Sequence, residues 1–323
     1  MKAAVYYRTG GPDVFRYEEL PDPACRPGGL IVEVKAVSIQ GGDLLHRQGG
    51  EMATTPHVVG YQAAGVVREV GAQVSGFRVG QPVVATMGFG SHAELVSVPA
   101  AATYAVPECM DLRQAAGVPI ESATAHDCLF EFGHLQAGET VLVQAGAGGV
   151  GLAAIQLAKR AGATTVIATA STDERVGRLK QYGMDYGINY RSEDLVARAM
   201  EITGGRGVDL VVDSVGGKTL ERSIGALAYR GRVSWVGRAG REEAPPEVWP
   251  LMQKNATLTG VFLGAEFARS AARTRPMVEQ LIADVAKGEL QVVIDRTFPL
   301  AEAAEAHRYI ESRQAFGRVL LVP

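Results

Sequence analysis

Apolar and polar positions divide the chain into three stretches. Through the first hundred residues, short runs rich in Val and other strand formers (3–6, 31–36, 63–70, 82–86 and 93–98) are punctuated by Gly10-Gly11-Pro12, Pro21-Asp22-Pro23 and Pro27-Gly28-Gly29. This pattern predicts a partly open, β-rich barrel, with a short helix or loop at 43–49. Residues 111–132 read as helical, with Asp111 as candidate N-cap. From residue 140 the pattern changes to strand alternating with helix. The expected strands are 140–144, 164–168, 186–189, 208–213, 231–236 and 257–263, and the later helices 173–182, 192–203 and 217–228. That alternation describes an α/β, doubly wound parallel sheet of six strands. Helices near 276–287 and 300–312 and a strand at 318–322 do not extend it, and are expected to return to the first domain.

The densest local pattern is ETVLVQAGAGGVGLAAIQLAKRAG, residues 139–162. Residues 140–144 form a buried-strand run. Gly146, Ala147, Gly148, Gly149, Val150 and Gly151 then satisfy G-x-G-x-x-G. Val150, Ala153, Ala154, Leu157, Ala158 and Ala161 line one helical face, with Gly162 as its stop. Strand, glycine turn and helix in this order form the dinucleotide fingerprint: unpaired N–H groups and the helix dipole point at a diphosphate. An NAD site would place Asp or Glu about twenty residues on. Here Ala170 and Ser171 stand at the end of the next strand, followed by Arg175. A small polar residue beside a cation suits a 2′-phosphate and favours NADP(H). Ser171 and Glu174 also fit a helix-capping box, and both roles are compatible.

Composition narrows the class. The 323 residues fit two domains, and 47% hydrophobic with 21% charged residues is ordinary for a globular protein. A net charge of −3 argues against nucleic acid as a main partner. No apolar run reaches the length of a membrane span, and no signal peptide is read at the N-terminus. Cys25, Cys109 and Cys128 are odd in number and far apart, which fits a reducing compartment; the expected location is cytoplasmic.

Several segments resemble the zinc-free quinone oxidoreductase (zeta-crystallin-like) branch of the medium-chain dehydrogenase/reductase superfamily. They are Gly10-Gly11-Pro12-Asp13-Val14, the loop from Ala145 to Gly151, Ile188-Asn189-Tyr190-Arg191, Ile202-Thr203-Gly204-Gly205, Asp213-Ser214-Val215-Gly216, and Glu311-Ser312-Arg313. The resemblance covers essentially the whole chain. It implies a GroES-like catalytic domain from residues 1–122 and 264–323 and a Rossmann domain from 123–263, with a cofactor cleft at the joint. It also implies NADPH as cofactor and a homodimer paired through residues 257–263. Matched position by position, it places Ser171, Arg175 and Tyr190 around the 2′-phosphate, Thr124 and Val236-Gly237 at the nicotinamide, and Arg313 near the phosphates.

Zinc-dependent relatives carry Cys near residue 40 and Gly-His-Glu near residue 60. Here those positions read Gln40 and Gly60-Tyr61-Gln62, none an expected zinc ligand. The resemblance therefore implies hydride transfer without metal to a small-molecule quinone or conjugated carbonyl. An enone or enoyl-thioester reductase is the alternative on the same scaffold, and a non-catalytic cofactor-binding protein a further one. Gln40 stands where relatives have Asn; its amide serves the acceptor oxygen or the nicotinamide ribose, or is a polar strand-end residue. Asp43 reads as a helix cap. Gly41-Gly42 replaces bulky residues, so the expected acceptor pocket is roomy and less aromatic, with no assured proton donor. The six histidines read as surface or packing residues.

Overall fold

The computed structural model describes residues 1–242 and 244–323. The chain forms two compact units, one made of Met1–Ile120 with Pro276–Pro323 and the other of Glu121–Arg275. Among the described residues no helix is long and apolar enough to cross a membrane.

The second unit is built on six parallel strands. Their order across the sheet is Tyr186–Asn189, Thr165–Ala170, Thr140–Val143, Val208–Asp213, Leu227–Trp235 and Thr257–Gly260. Thr140–Val143 is central because all four of its residues are buried, as a strand covered on both faces requires. Leu142, Ile167, Ile188, Val211 and Val233 meet in the core beneath Leu220 and Ile224 of the helix Gly217–Gly225. The first strand in sequence lies between the second and the fourth. The order therefore switches direction beside its carboxyl end, where such sheets open a crevice.

The six predicted strands form, with shifted ends. The expected helix 173–182 stops at Leu179 and tightens into a 3-10 turn, Lys180–Tyr182. The expected strand 257–263 ends at Gly260: Phe262 becomes the N-cap of the helix Leu263–Arg269, so the apolar run Val261-Phe262-Leu263 crosses an element boundary. The helix expected from 276 begins at Ala271 and carries Pro276 inside it.

In the first unit Gly29–Ser38 pairs antiparallel with Gln62–Val70 and Leu95–Pro99, and Pro82–Thr86 continues the sheet to Thr103–Ala105. The C-terminal strand Arg318–Val322 enters the same sheet, antiparallel to Gly29–Ser38 and parallel to Ile294–Pro299. Leu320 lies opposite Ser38. Arg318 then donates from Nε to Ser38 Oγ at 2.9 Å, and from Nη2 to the Ile39 carbonyl. Lys2–Tyr6 lies in a small separate sheet with Arg16–Glu19 and His57–Val58.

A buried polar chain ties the helix Gly41–Gly49 to the late helix Ala303–Glu311. Arg47 is fully buried and donates to the Gly10 carbonyl at 3.1 Å, to Glu311 Oε1 and to His307 Nδ1 at 3.4 Å. His307 Nε2 lies 3.1 Å from His92 Nε2. Since Arg47 donates to Nδ1 of His307, that ring carries its proton on Nε2 and donates it to His92, whose own proton sits on Nδ1. Protonating either ring would put two donors face to face. Burial lowers His307 well below its ordinary value, with His92 and Arg47 adding to the effect; it lowers His92 to about 3. In an unfolded chain both would titrate near the ordinary histidine value of 6.5. Their folded pKa values are depressed, so their contribution to stability is complete above that value and is lost as pH falls through the window toward 3. The urea midpoint should therefore hold above pH 6.5 and fall steadily below it; a midpoint unchanged at pH 5 would show that these rings are free to protonate in the folded protein.

Candidate nucleotide and acceptor sites

The strand Thr140–Val143 runs into Gln144, and the chain turns at Ala145, held at φ +51°, a left-handed conformation that side chains rarely take. The helix Gly149–Arg160 follows, with Gly148 as its extended N-cap. Gly148 N–H donates to Ala145 O and Leu152 N–H to Gly148 O, both at 2.9 Å. The N–H groups of Gly149, Val150 and Gly151 have no helical acceptor and form a ready anion site. The glycines divide the work. A Cβ on Gly151 would lie 2.4 Å from Ala145 O, so its absence lets the helix close on the loop. A Cβ on Gly146 would strike Leu179 Cδ1 at 2.9 Å, while Gly148 is exposed and meets only Ala145 O at 3.4 Å. Ala147 is buried beneath the turn and Val150 is half-buried.

Ser171 and Tyr190 follow directly on Ala170 and Asn189, the paired ends of neighbouring strands, and Arg175 lies on the helix Asp173–Leu179. Tyr190 N–H donates to Ala170 O at 3.1 Å, which sets Tyr190 beside the end of Thr165–Ala170. Thr172, not Ser171, caps the helix Asp173–Leu179: its Oγ1 accepts from Arg175 N–H at 3.2 Å. The capping box expected from Ser171 and Glu174 is therefore replaced by a simple N-cap one residue later, and the buried Ser171 hydroxyl makes no hydrogen bond among the described residues. Asp173 is taken up by Asn189 Nδ2 at 2.8 Å, and Arg175 is half-buried. At the other end, Val236 N–H donates to Asp213 O at 2.8 Å, and Trp235 Nε1 donates to the Gly237 carbonyl at 2.7 Å. Thr124 is buried on the helix Glu121–His126, which packs against Gly149–Arg160.

The loops at this sheet edge are joined from below by four buried side chains that the apolar pattern does not reveal. Thr169 Oγ1 accepts from Ala145 N–H at 3.1 Å and donates to Gln144 Oε1 at 2.9 Å. Gln144 Nε2 donates to Ser223 Oγ at 2.9 Å, and Ser223 Oγ donates to Asp213 Oδ2 at 2.7 Å. Asp213 Oδ1 accepts from the N–H groups of Val215 and Gly216 at 2.8 and 2.9 Å. The signal in sequence is a polar residue at or just past the end of an apolar strand, as at Gln144, Thr169 and Asp213, while Ser223 on the helix Gly217–Gly225 gives none.

Gln40 and Arg313 belong to the first unit. Gln40 is buried at the start of the helix Gly41–Gly49; its N–H donates to Asp43 Oδ2 at 2.7 Å and its Nε2 to Ser38 O at 3.3 Å. Asp43 thus caps the helix. The space left by Gly42 is not empty: a Cβ there would lie 2.6 Å from Tyr61 Cε2 and 3.1 Å from its hydroxyl. The space expected from Gly41-Gly42 is therefore open at Gly41, where a Cβ would meet nothing within 4 Å, and filled at Gly42, where the Tyr61 ring lies. Burial, with the Asp43 charge adding to it, pushes the Tyr61 phenol up to about 12, so it keeps its proton at neutral pH. Gln62 is fully buried, and its Oε1 accepts from Ile120 N–H at 3.0 Å. The positions that carry zinc ligands in relatives thus offer two amides and a protonated phenol, a donor set that does not fit a zinc ion. No group of three His, Cys, Asp or Glu side chains among the described residues is placed to hold a metal. His57 is buried between the rings of His46 and Phe89, at 4.8 and 5.3 Å, as a packing histidine. Arg313 is exposed at φ +59°, just past the helix Ala303–Glu311, and its N–H donates to Ile310 O at 3.0 Å.

Comparison with known proteins agrees with this geometry. Residues 26–108 match the alcohol dehydrogenase GroES-like domain, and 149–296 match the zinc-binding dehydrogenase family. The chain is 33% identical to a 2-haloacrylate reductase of Burkholderia sp over 99% of its length and 98% of the relative's. It is 32% identical to a quinone oxidoreductase of Pseudomonas aeruginosa, with 97% of each covered. It is similar to the crystal structure of Escherichia coli quinone oxidoreductase complexed with NADPH, with a TM-score of 0.94, 31% identity and 100% of both chains covered. With a glycine-turned parallel sheet in one unit, a GroES-like sheet in the other and these likenesses over the whole length, the chain belongs to the quinone oxidoreductase branch of the medium-chain dehydrogenase/reductase superfamily.

Proposed function

We propose that the protein is an NADPH-dependent oxidoreductase that delivers hydride, without zinc, to a quinone. The observations that carry this are an anion-binding glycine turn in one unit and, in the other, Gln40, Tyr61 and Gln62 at the positions where relatives carry zinc ligands. When bound, the nicotinamide supplies the hydride. The N–H groups of Gly149, Val150 and Gly151 hold the diphosphate, with Gly146, Ala147 and Gly148 shaping the turn beneath it. Ser171, Arg175 and Tyr190 hold the 2′-phosphate. Thr124 and Val236-Gly237 place the nicotinamide, and Arg313 serves the phosphates. Gln40 and the protonated Tyr61 hydroxyl are donors for the oxygen on which charge develops, work that a Lewis acid would otherwise do. The Escherichia coli structure with NADPH supports the cofactor assignment.

Reduction of an activated alkene is a second reading, favoured by the relative named 2-haloacrylate reductase and by the Tyr61 phenol, which adds a donor to the acceptor side. The proposed homodimer pairs through Thr257–Gly260, an outer strand bonded among the described residues to Leu227–Trp235; beyond it Val261 and Leu263 are buried and Phe262 contributes apolar surface rather than strand. Trp249, Met252 and Phe262 near this edge are 58, 61 and 75% exposed, which is unusual for large apolar side chains.

Three outcomes are expected. NADPH oxidation against benzoquinone, a naphthoquinone, phenanthrenequinone, an alkenal and an enoyl thioester should give turnover on the quinones with no stoichiometric zinc in the protein. Saturated products from the alkenes would select the second reading, and NADPH binding with no turnover the non-catalytic one. Arg175→Ala should weaken NADPH by about 1.5–3 kcal/mol, roughly 10- to 150-fold, and NADH far less; equal loss for both would remove Arg175 from the 2′-phosphate. Phe262→Asp should convert a dimer to a monomer by sedimentation, and a wild-type monomer would end the dimer proposal.

A further inference from the structure

The buried chain from Ala145 to Asp213 has a direction. A carboxylate only accepts, so Ser223 must spend its hydroxyl proton on Asp213 Oδ2, and its oxygen can then only accept from Gln144. This turns the Gln144 amide so that Oε1 faces Thr169. Thr169 donates to that oxygen and is left to accept from Ala145 N–H, at the residue that enters the glycine turn in a left-handed conformation. The side chains of Asp213, Ser223, Thr169 and Gln144 are 0, 0, 1 and 2% exposed, so water cannot replace a missing partner. The other oxygen of Asp213 holds Val215 and Gly216. Their loop in turn accepts from the segment after Val236-Gly237: Ala239 N–H donates to Ser214 O at 3.1 Å and Gly240 N–H to Val215 O at 2.9 Å.

Resting on the NADPH reading above, we infer that Asp213 is a positioning residue that sets both ends of the cofactor site: through Ser223, Gln144 and Thr169 it orients the diphosphate turn, and through Val215 and Gly216 it fixes the segment under the nicotinamide. The Asp213 carboxylate touches neither end itself, although its main-chain carbonyl accepts from Val236 N–H. One carboxylate, by accepting from both sides, aligns two loops that belong to different strands.

The test is calorimetric titration of the full-length protein with NADPH and with 2′-phospho-ADP-ribose, which keeps both phosphate groups and lacks the nicotinamide. Ser223→Ala and Thr169→Val cut only the diphosphate arm, and should weaken both ligands alike by roughly fivefold or more, the equivalent of one lost buried hydrogen bond. Thr169→Ser keeps the hydroxyl and should bind both within twofold of wild type, a rescue that simple loss of packing would not produce. Asp213→Asn releases both arms and should weaken NADPH more than the fragment. Folded Ser223→Ala and Thr169→Val proteins that bind both ligands as wild type does would overturn the inference, as would equal losses in Asp213→Asn. Where Asp213→Asn does not fold, the Ser223 and Thr169 variants decide. A wild-type protein that binds neither ligand would instead refute the NADPH reading.

Discussion

Main-chain groups at the carboxyl edge of a parallel sheet have no neighbouring strand to bond to, and in a buried crevice they have no water. This constraint governs the nucleotide unit. Thr140–Val143 is wholly buried, so the turn that leaves it must find partners inside the protein. The solution is a carboxylate, two hydroxyls and an amide placed behind the glycine turn, with Asp213 as the terminus that only accepts. Because each group has its direction imposed by the next, the turn is held in one arrangement. The N–H groups of the following helix can then stay unpaired and face outward, which is what an anion site requires.

The first unit meets a comparable problem differently. There the interior is a sheet whose strands come from both ends of the chain, and the polar groups crossing it join distant segments. Arg318 reaches Ser38 and Ile39, Arg47 reaches Gly10, His307 and Glu311, and Gln62 reaches Ile120. A buried guanidinium is tolerable only with its donors used, since an unpaired buried charge is costly. The same logic explains the acceptor side. Gln62 supplies one hydrogen bond to the main chain at the limit of the unit, and Tyr61 lays its ring against Gly42. Positions that carry zinc ligands in relatives are here committed to structure and to neutral donors.

Much of this was legible in the sequence, for reasons that also set its limits. The six strands of the nucleotide sheet were visible because central parallel strands are continuous apolar runs, and the glycine turn because strand, glycines and helix follow one another without a gap. Arg16–Glu19 and Ile294–Pro299 were not visible: as partly exposed strands at sheet edges they carry charged residues that read as loop. Residues 257–263 read as one strand because hydrophobicity does not report that Phe262 caps a helix. The Asp213 chain escaped altogether. Its partners lie 10, 79 and 25 residues apart, and a single polar residue at a strand end does not name its partner. Gly42 advertised space, but only the fold shows that Tyr61 occupies it.

The pairing of Arg318 with Ser38 spans 280 residues. On the ribosome this becomes a matter of time: at about 5–20 residues per second, the last strand of the first unit emerges about 15–55 s after its partner. Throughout that interval the end of Gly29–Ser38, at Val37 and Ser38, waits for its partner while the whole of Glu121–Arg275 is made. The later unit in sequence is thus the earlier one to be completed. The nascent N-terminal sheet, open at that strand end, offers its unpaired main chain there to a neighbouring chain.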